Sequence, residues 1–182
     1  MSETETAVLA GGCFWCIEAV FDRLSGVHSV VPGYTGGRTT SPTYESVCRG
    51  NTGHAEAVRI EFDPSIISYE ELLIIFFSIH DPTTLNRQGP DVGSQYRSAI
   101  YYVTDEQRQT IERVITNLED DDVFEDPMVT EISQLDTFYV AEDAHHDYYK
   151  KNPSNPYCVV QIEPKLSKLR KQFADKLIAD PA

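Results

Sequence analysis

The chain has 182 residues, 41% of them hydrophobic, which is enough to bury a core as one domain without calling for a second. Its 29 acidic residues against 15 basic ones leave a net charge of -14, which argues against nucleic acid or an anionic membrane as the main partner, because phosphate binding wants the opposite sign. Met1 to Thr6 is short, polar and acidic, is expected to be flexible, and lacks the regions of a signal peptide; no apolar run approaches membrane-spanning length. The expected compartment is therefore the cytoplasm, where four cysteines read as reduced, catalytic or metal-binding rather than as a disulfide framework.

Taken in order, Ala7 to Gly11 reads as a buried strand and Cys13 to Leu24 as an amphipathic helix, with Phe14, Ile17, Val20, Phe21 and Leu24 on its buried face. Val27 to Val31 reads as a second strand ending in a glycine-rich turn from Pro32 to Gly37. A long loop, Arg38 to Gly53, follows, with one helical turn at Tyr44 to Cys48; connections this long inside a compact domain are usually functional. Ala55 to Phe62 alternates as a strand, placing Glu56, Val58, Ile60 and Phe62 on one face and Ala57, Arg59 and Glu61 on the other. Glu56 is the anomaly, a carboxyl on the apolar face.

Ser68 with Glu71 predicts a capping box opening an apolar helix through Ile79. A second long loop spans Asp81 to Gln95, and Arg97 to Val103 is a further strand. Thr104 with Gln107 starts a solvent-facing helix to about Leu118, followed by a strand at Val129 to Leu135 and a short helix at Glu142 to Lys150. Asn152 to Pro156 reads as a proline-rich hinge, and Pro164 opens a last helix with Leu166, Leu169, Phe173 and Leu177 inward. To Val103 the order is strand, helix, strand, strand, helix, strand. That is the split βαβ or ferredoxin-like pattern: an α+β, two-layer core with long loops and a C-terminal extension over 152–182. If strands one and three are adjacent and antiparallel, Cys13 and Glu56 share one site.

Cys13 follows Gly11-Gly12 at a helix start, where free backbone N–H groups and the helix dipole favour thiolate over thiol. Cys13 and Cys16 form a CxxC, which fits a redox dithiol, half of a zinc site or chance. A zinc site would need a second pair, and Cys48, Cys158, His145 and His146 are scattered. A small buried core residue is the bland alternative for Cys13. Glu56 is either a slip at a strand end or a buried carboxyl whose raised pKa lets it donate a proton near neutrality. Tyr44 and Tyr96 stand out among the tyrosines because they sit in the two long loops.

Gly11-Gly12-Cys13-Phe14-Trp15, Gly33 to Gly37, Pro42-Thr43-Tyr44, Gly53-His54-Ala55-Glu56, His80-Asp81-Pro82 and Asp91 to Tyr101 together resemble the A-type peptide methionine sulfoxide reductases, over most of the chain and in the family's order. Cys16 departs from the pattern, since many members carry glycine there. The resemblance implies that Cys13 attacks the sulfur of methionine S-sulfoxide, free or in proteins, and that Glu56 acts as acid toward the oxygen. It further implies that Tyr44 and Tyr96 donate to that oxygen, Phe14 and Trp15 enclose the methyl group, and Asp91 is a further polar residue of the site. Cys13 is left as a sulfenic acid, resolved by a second thiol and reduced by thioredoxin, or by dithiothreitol as an external reductant.

The resolving thiol is expected to be Cys158, in a segment rich enough in proline to be mobile, and the family commonly places it there. Cys16 is the alternative, although one helical turn leaves its Cβ about 5–6 Å from that of Cys13, longer than the ~3.5–4.5 Å of a disulfide. No metal or organic cofactor is expected, and the expected state is a monomer. The competing reading is a CxxC thiol-disulfide oxidoreductase, in which Cys13 and Cys16 are the working pair and Glu56 has no part. A zinc-stabilised binding module is a third reading.

Overall fold

The computed structural model describes residues 3–178. A six-stranded sheet is built from β1 (Glu5–Gly11), β2 (Val27–Thr35), β3 (Ala55–Phe62), β6 (Ser98–Tyr102), β7 (Glu131–Gln134) and β8 (Tyr139–Val140), in the order β7-β6-β1-β3-β2-β8. In the central run β6-β1-β3-β2 each strand is antiparallel to its neighbours, and β7 joins the β6 edge in parallel. Two short strands, β4 (Arg87–Gln88) and β5 (Asp91–Val92), make a separate hairpin in the second long loop. The helices are α1 (Phe14–Phe21), α2 (Tyr44–Cys48), α3 (Tyr69–Ile79), α4 (Asp105–Asp120), α5 (Tyr148–Lys151), α6 (Pro156–Gln161) and α7 (Glu163–Gln172).

The alternation of β3 decides its two faces. Val58, Ile60 and Phe62 join Ala7 and Leu9 of β1 and the apolar sides of α1, α3 and α7 in one buried cluster. The opposite face carries the smaller residues Val8, Ala10, Ala55, Ala57 and Ala99, covered by Leu135 and Phe138. Small side chains there let the connection between β7 and β8 lie close against the sheet. The capping box at Ser68 and Glu71 is present, and the Thr104 side chain accepts from the Gln107 N–H, so local sequence chemistry sets the starts of α3 and α4.

Four local expectations are corrected. Glu5 and Thr6, expected in a flexible N-terminus, are paired with Phe62 and Glu61 in β1, because β3 is long enough to template two more residues; residues 1–2 lie outside the described residues. The stretch Pro32 to Thr35, expected as a turn, continues β2, and the chain turns only at Gly36, whose φ is 87°. Gly33 serves close approach within the strand: a Cβ there would lie 2.4 Å from the Tyr139 carbonyl oxygen and 2.5 Å from the Phe138 ring. The helix expected over Glu142 to Lys150 is broken by Asp147 at φ 55°, whose N–H donates to the buried Glu18 carboxylate at 3.0 Å. A tertiary hydrogen bond has replaced a helical one.

The proline-rich hinge is the fourth. Pro156 occupies the first turn of α6, where its missing N–H costs nothing, and the Asn155 side chain caps that helix by accepting from the Tyr157 N–H at 2.9 Å. Cys158 is consequently on a helix and fully buried. Ile162, Leu166 and Leu169 belong to the same core as α1 and the central strands, so the C-terminal extension is part of the packing around the site.

Candidate active site

Cys13 sits at the N-cap of α1, in extended conformation, with its carbonyl accepting from the N–H groups of Cys16 and Ile17. The turn from β1 into that helix passes through Gly12 at φ 100°, where a side chain would be strained and would collide with Gln88. Because β1 and β3 are adjacent and antiparallel, the end of one lies beside the start of the other. Glu56 therefore points at the head of α1, and its Oε1 accepts from the Phe14 N–H at 3.1 Å. Cys13 is 8% exposed and Glu56 2%.

That burial governs the electrostatics. It raises the Glu56 pKa to about 8; the Phe14 N–H opposes the rise, and the negative neighbours Asp91 and Cys16 add to it. Glu56 is thus neutral at pH 7 and has a proton to give. Burial also pushes the Cys13 thiol well above its ordinary value, helped by its hydrogen bond to Cys16 and by Glu56, and the Trp15 N–H does not offset this. The helix start therefore does not make Cys13 a resting thiolate, contrary to the expectation from sequence. The Cys16 thiol moves the other way, lowered by the hydrogen bond from Cys13 against its own burial, with Lys165 and Tyr157 acting in the same direction.

The predicted oxygen-side residues converge. The Tyr44 and Tyr96 hydroxyls are both raised by burial and by the field of Glu56, so both remain donors. Tyr44 opens α2, and its backbone N–H donates to Glu142 Oε2 at 2.9 Å, while Oε1 of the same carboxylate accepts from the Tyr34 hydroxyl at 2.8 Å. Asp91 accepts a hydrogen bond from the Tyr157 hydroxyl. Phe14 packs against Tyr34 and Tyr44, with ring centroids 5.6 and 6.3 Å apart. Cys48, the one exposed cysteine, lies close enough to Tyr44 and Tyr96 for both to act on its thiol.

Trp15 is held by residues that sequence reasoning did not select. Tyr148 stacks on its indole at 3.7 Å and 7°, Tyr157 meets its edge at 5.9 Å, and its Nε1–H donates to His145 Nδ1 at 3.1 Å. All three come from the stretch that runs from β8 into α6. The available signal was the density of aromatic and histidine side chains from Phe138 to Tyr157, well above that of the chain as a whole. His145 accepts from Trp15, and His146 Nε2 contacts the Ala141 carbonyl at 2.8 Å. Among the described residues no cluster of three or more His, Cys, Asp or Glu side chains is placed to hold a metal ion, and no helix is long and apolar enough to cross a membrane.

A family model described as peptide methionine sulfoxide reductase matches residues 5–177. The peptide methionine sulfoxide reductase MsrA of Natronomonas pharaonis is 53% identical over 174 residues, covering 96% of this chain and 98% of that one. Among solved structures, Mxr1 of Saccharomyces cerevisiae in reduced form superposes with a TM-score of 0.77 at 33% identity, covering 84% of this chain and 88% of that one. A second structure, of Mxr1 in complex with Trx2, matches with a TM-score of 0.55 at 22% identity, covering 80% and 85%. A thiol and a neutral carboxyl joined through one backbone amide, under a roof of tyrosines, agree with these matches: the chain belongs to the peptide methionine sulfoxide reductase family and is a peptide-methionine (S)-S-oxide reductase.

Proposed function

We propose that Cys13 is the nucleophile and Glu56 the acid in the reduction of methionine S-sulfoxide, free or in proteins. The Cys13 sulfur attacks the sulfoxide sulfur, its proton passing to Cys16, while Glu56 protonates the sulfoxide oxygen and Tyr44 and Tyr96 hydrogen-bond it. Phe14 and Trp15 enclose the methyl group, and Asp91 orients polar partners. In balance, Cys13 thiol and methyl sulfoxide become Cys13 sulfenic acid and methyl thioether. The observation that carries this reading is Glu56, a buried carboxyl with a pKa of about 8 accepting from the peptide N–H adjacent to Cys13.

Cys158 is the proposed resolving thiol, with Cys16 as the alternative. Cys158 attacks the sulfenic sulfur, releasing water and forming a disulfide that a thioredoxin-type dithiol, or dithiothreitol, reduces by exchange. Cys158 and Cys16 are buried in one cluster with Cys13, and Cys158 lies on a six-residue helix short enough to open. The Mxr1 complex with Trx2 supports a thioredoxin partner. The antiparallel order β6-β1-β3-β2, with α1 and α3 on one face, supports a ferredoxin-like description of one catalytic domain. The central test is turnover of each epimer of methionine sulfoxide with dithiothreitol. Reduction confined to the S form is expected; comparable turnover of the R form would remove the pocket as described.

A further inference from the structure

Strand β1 lies between β6 and β3 and leaves the sheet at Gly11 to enter α1. Beyond that point no strand joins the start of β3, which carries Glu56, to the start of β6, which follows Tyr96. Arg97 spans the gap with its side chain. One terminal guanidinium nitrogen donates to the Ser94 carbonyl at 2.8 Å, in the short helical turn Ser94–Tyr96, and the other to the Gly53 carbonyl at 3.0 Å, just ahead of β3. Nε donates to the carboxylate of Glu131, the first residue of β7, at 3.0 Å, and the Tyr101 hydroxyl lies 3.4 Å from the second terminal nitrogen. The Arg97 side chain is 14% exposed, so these contacts are held largely away from water.

We propose that Arg97 is a positioning residue for the sulfoxide oxygen: by holding the Ser94 and Gly53 carbonyls on one rigid fork, it fixes the Tyr96 hydroxyl relative to the Glu56 carboxyl. The proposal rests on the reading of the site given above. Two donors can meet one oxygen only if both come within the ~2.5–3.0 Å of an O–H···O bond, so a small drift of either loop loses one of them. A guanidinium is suited to prevent that drift, because its five N–H donors lie in one plane and can serve two carbonyls, a carboxylate and a hydroxyl together. A lysine ammonium offers three donors on a freely turning stem. Glu131 on Nε sets the plane of the fork. Gly36 leaves it room: a Cβ there would lie 2.4 Å from the Tyr101 hydroxyl oxygen and 3.0 Å from the guanidinium.

The test is single-turnover reduction of methionine S-sulfoxide by the full chain. Arg97→Lys keeps the charge but not the fork, and its maximal rate should fall about tenfold, the effect of one lost hydrogen bond to the oxygen. The sulfoxide concentration for half-maximal rate should change less, because that bond acts mainly in the transition state. Tyr96→Phe removes the donor outright and should itself be slow, so adding R97K to Y96F should cost less than about threefold. General loosening of the fold would instead multiply through both backgrounds. Where urea unfolding shows R97K to be unfolded, Glu131→Gln, which frees the fork at Nε alone, should give a smaller loss that likewise vanishes in Y96F. A parent-like rate in the variant used, or the same factor with and without Tyr96, would overturn the proposal while a slow Y96F leaves the reading of the site standing. Y96F as fast as the parent would overturn that reading, and this proposal with it.

Discussion

The Glu56 carboxyl and the Cys13 thiol are joined through one peptide: Oε1 of Glu56 accepts from the Phe14 N–H at 3.1 Å, and that N–H is the first beyond Cys13. In the proposed reaction a sulfoxide seated on Cys13 meets Glu56 on its oxygen side. Glu56→Gln keeps a donor but cannot release a proton, so single-turnover reduction should slow by roughly 10²-fold or more, with circular dichroism unchanged. In the proposed reaction the acid form of Glu56 is the active one, so the rate in the parent should fall as pH rises through about 8. Equal rates in mutant and parent would take Glu56 out of the chemistry.

Burial does most to raise the Cys13 thiol, and its hydrogen bond to Cys16 adds to the rise. Cys16→Ser removes the thiol that takes part in that contact, so the Cys13 pKa should fall while burial keeps it above the ~8.5 of a free thiol. The measurement is the pH dependence of Cys13 alkylation, resolved from exposed Cys48 by peptide mass spectrometry. An unchanged or higher Cys13 midpoint in the mutant would show that burial alone sets it. Cys13→Ser should abolish reduction.

Cys158 is fully buried on α6, so a bridge to Cys13 requires that helix to open. One equivalent of sulfoxide should yield a Cys13–Cys158 disulfide in the parent and raise amide hydrogen exchange over residues 156–161. Cys158→Ser should stop thioredoxin-linked turnover while sparing the first reduction. A Cys13–Cys16 bridge that sustains full turnover without Cys158 would move the role to Cys16.

Glu18, buried in the middle of α1, has its pKa raised to about 7 by burial, against the Asp147 N–H that it accepts. A carboxyl raised in the folded state is deprotonated more readily when unfolded, so it costs stability as pH rises from ~4.3, the unfolded value, to about 7. Glu18→Gln keeps an acceptor for Asp147 without that cost. It should match the parent at pH 4 and exceed it at pH 8 by on the order of 1 kcal/mol, discounted for screening by water near the surface. Urea unfolding at the two pH values checks the sign; a mutant less stable at pH 8 would mean that the charge itself anchors the segment.

By itself the sequence determined the elements whose causes are local. The caps at Ser68 and Thr104, the alternation of β3 and the apolar stripe of α1 are each written in neighbouring residues, and the strand order that follows brings Cys13 to Glu56. Only the tertiary structure decided what surrounds that pair. Pro156 could end one segment or begin a helix, and the Asn155 cap together with burial of Cys158 selected the helix. That Cys13 is pushed up and Cys16 down depended on burial against Lys165 of α7 and Tyr157, far along the chain. The stack of Tyr44, His145, Trp15 and Tyr148 draws on residues more than 100 positions apart, a contact that periodicity cannot encode because it arises only when the sheet edge at β8 carries that segment back over the start of α1.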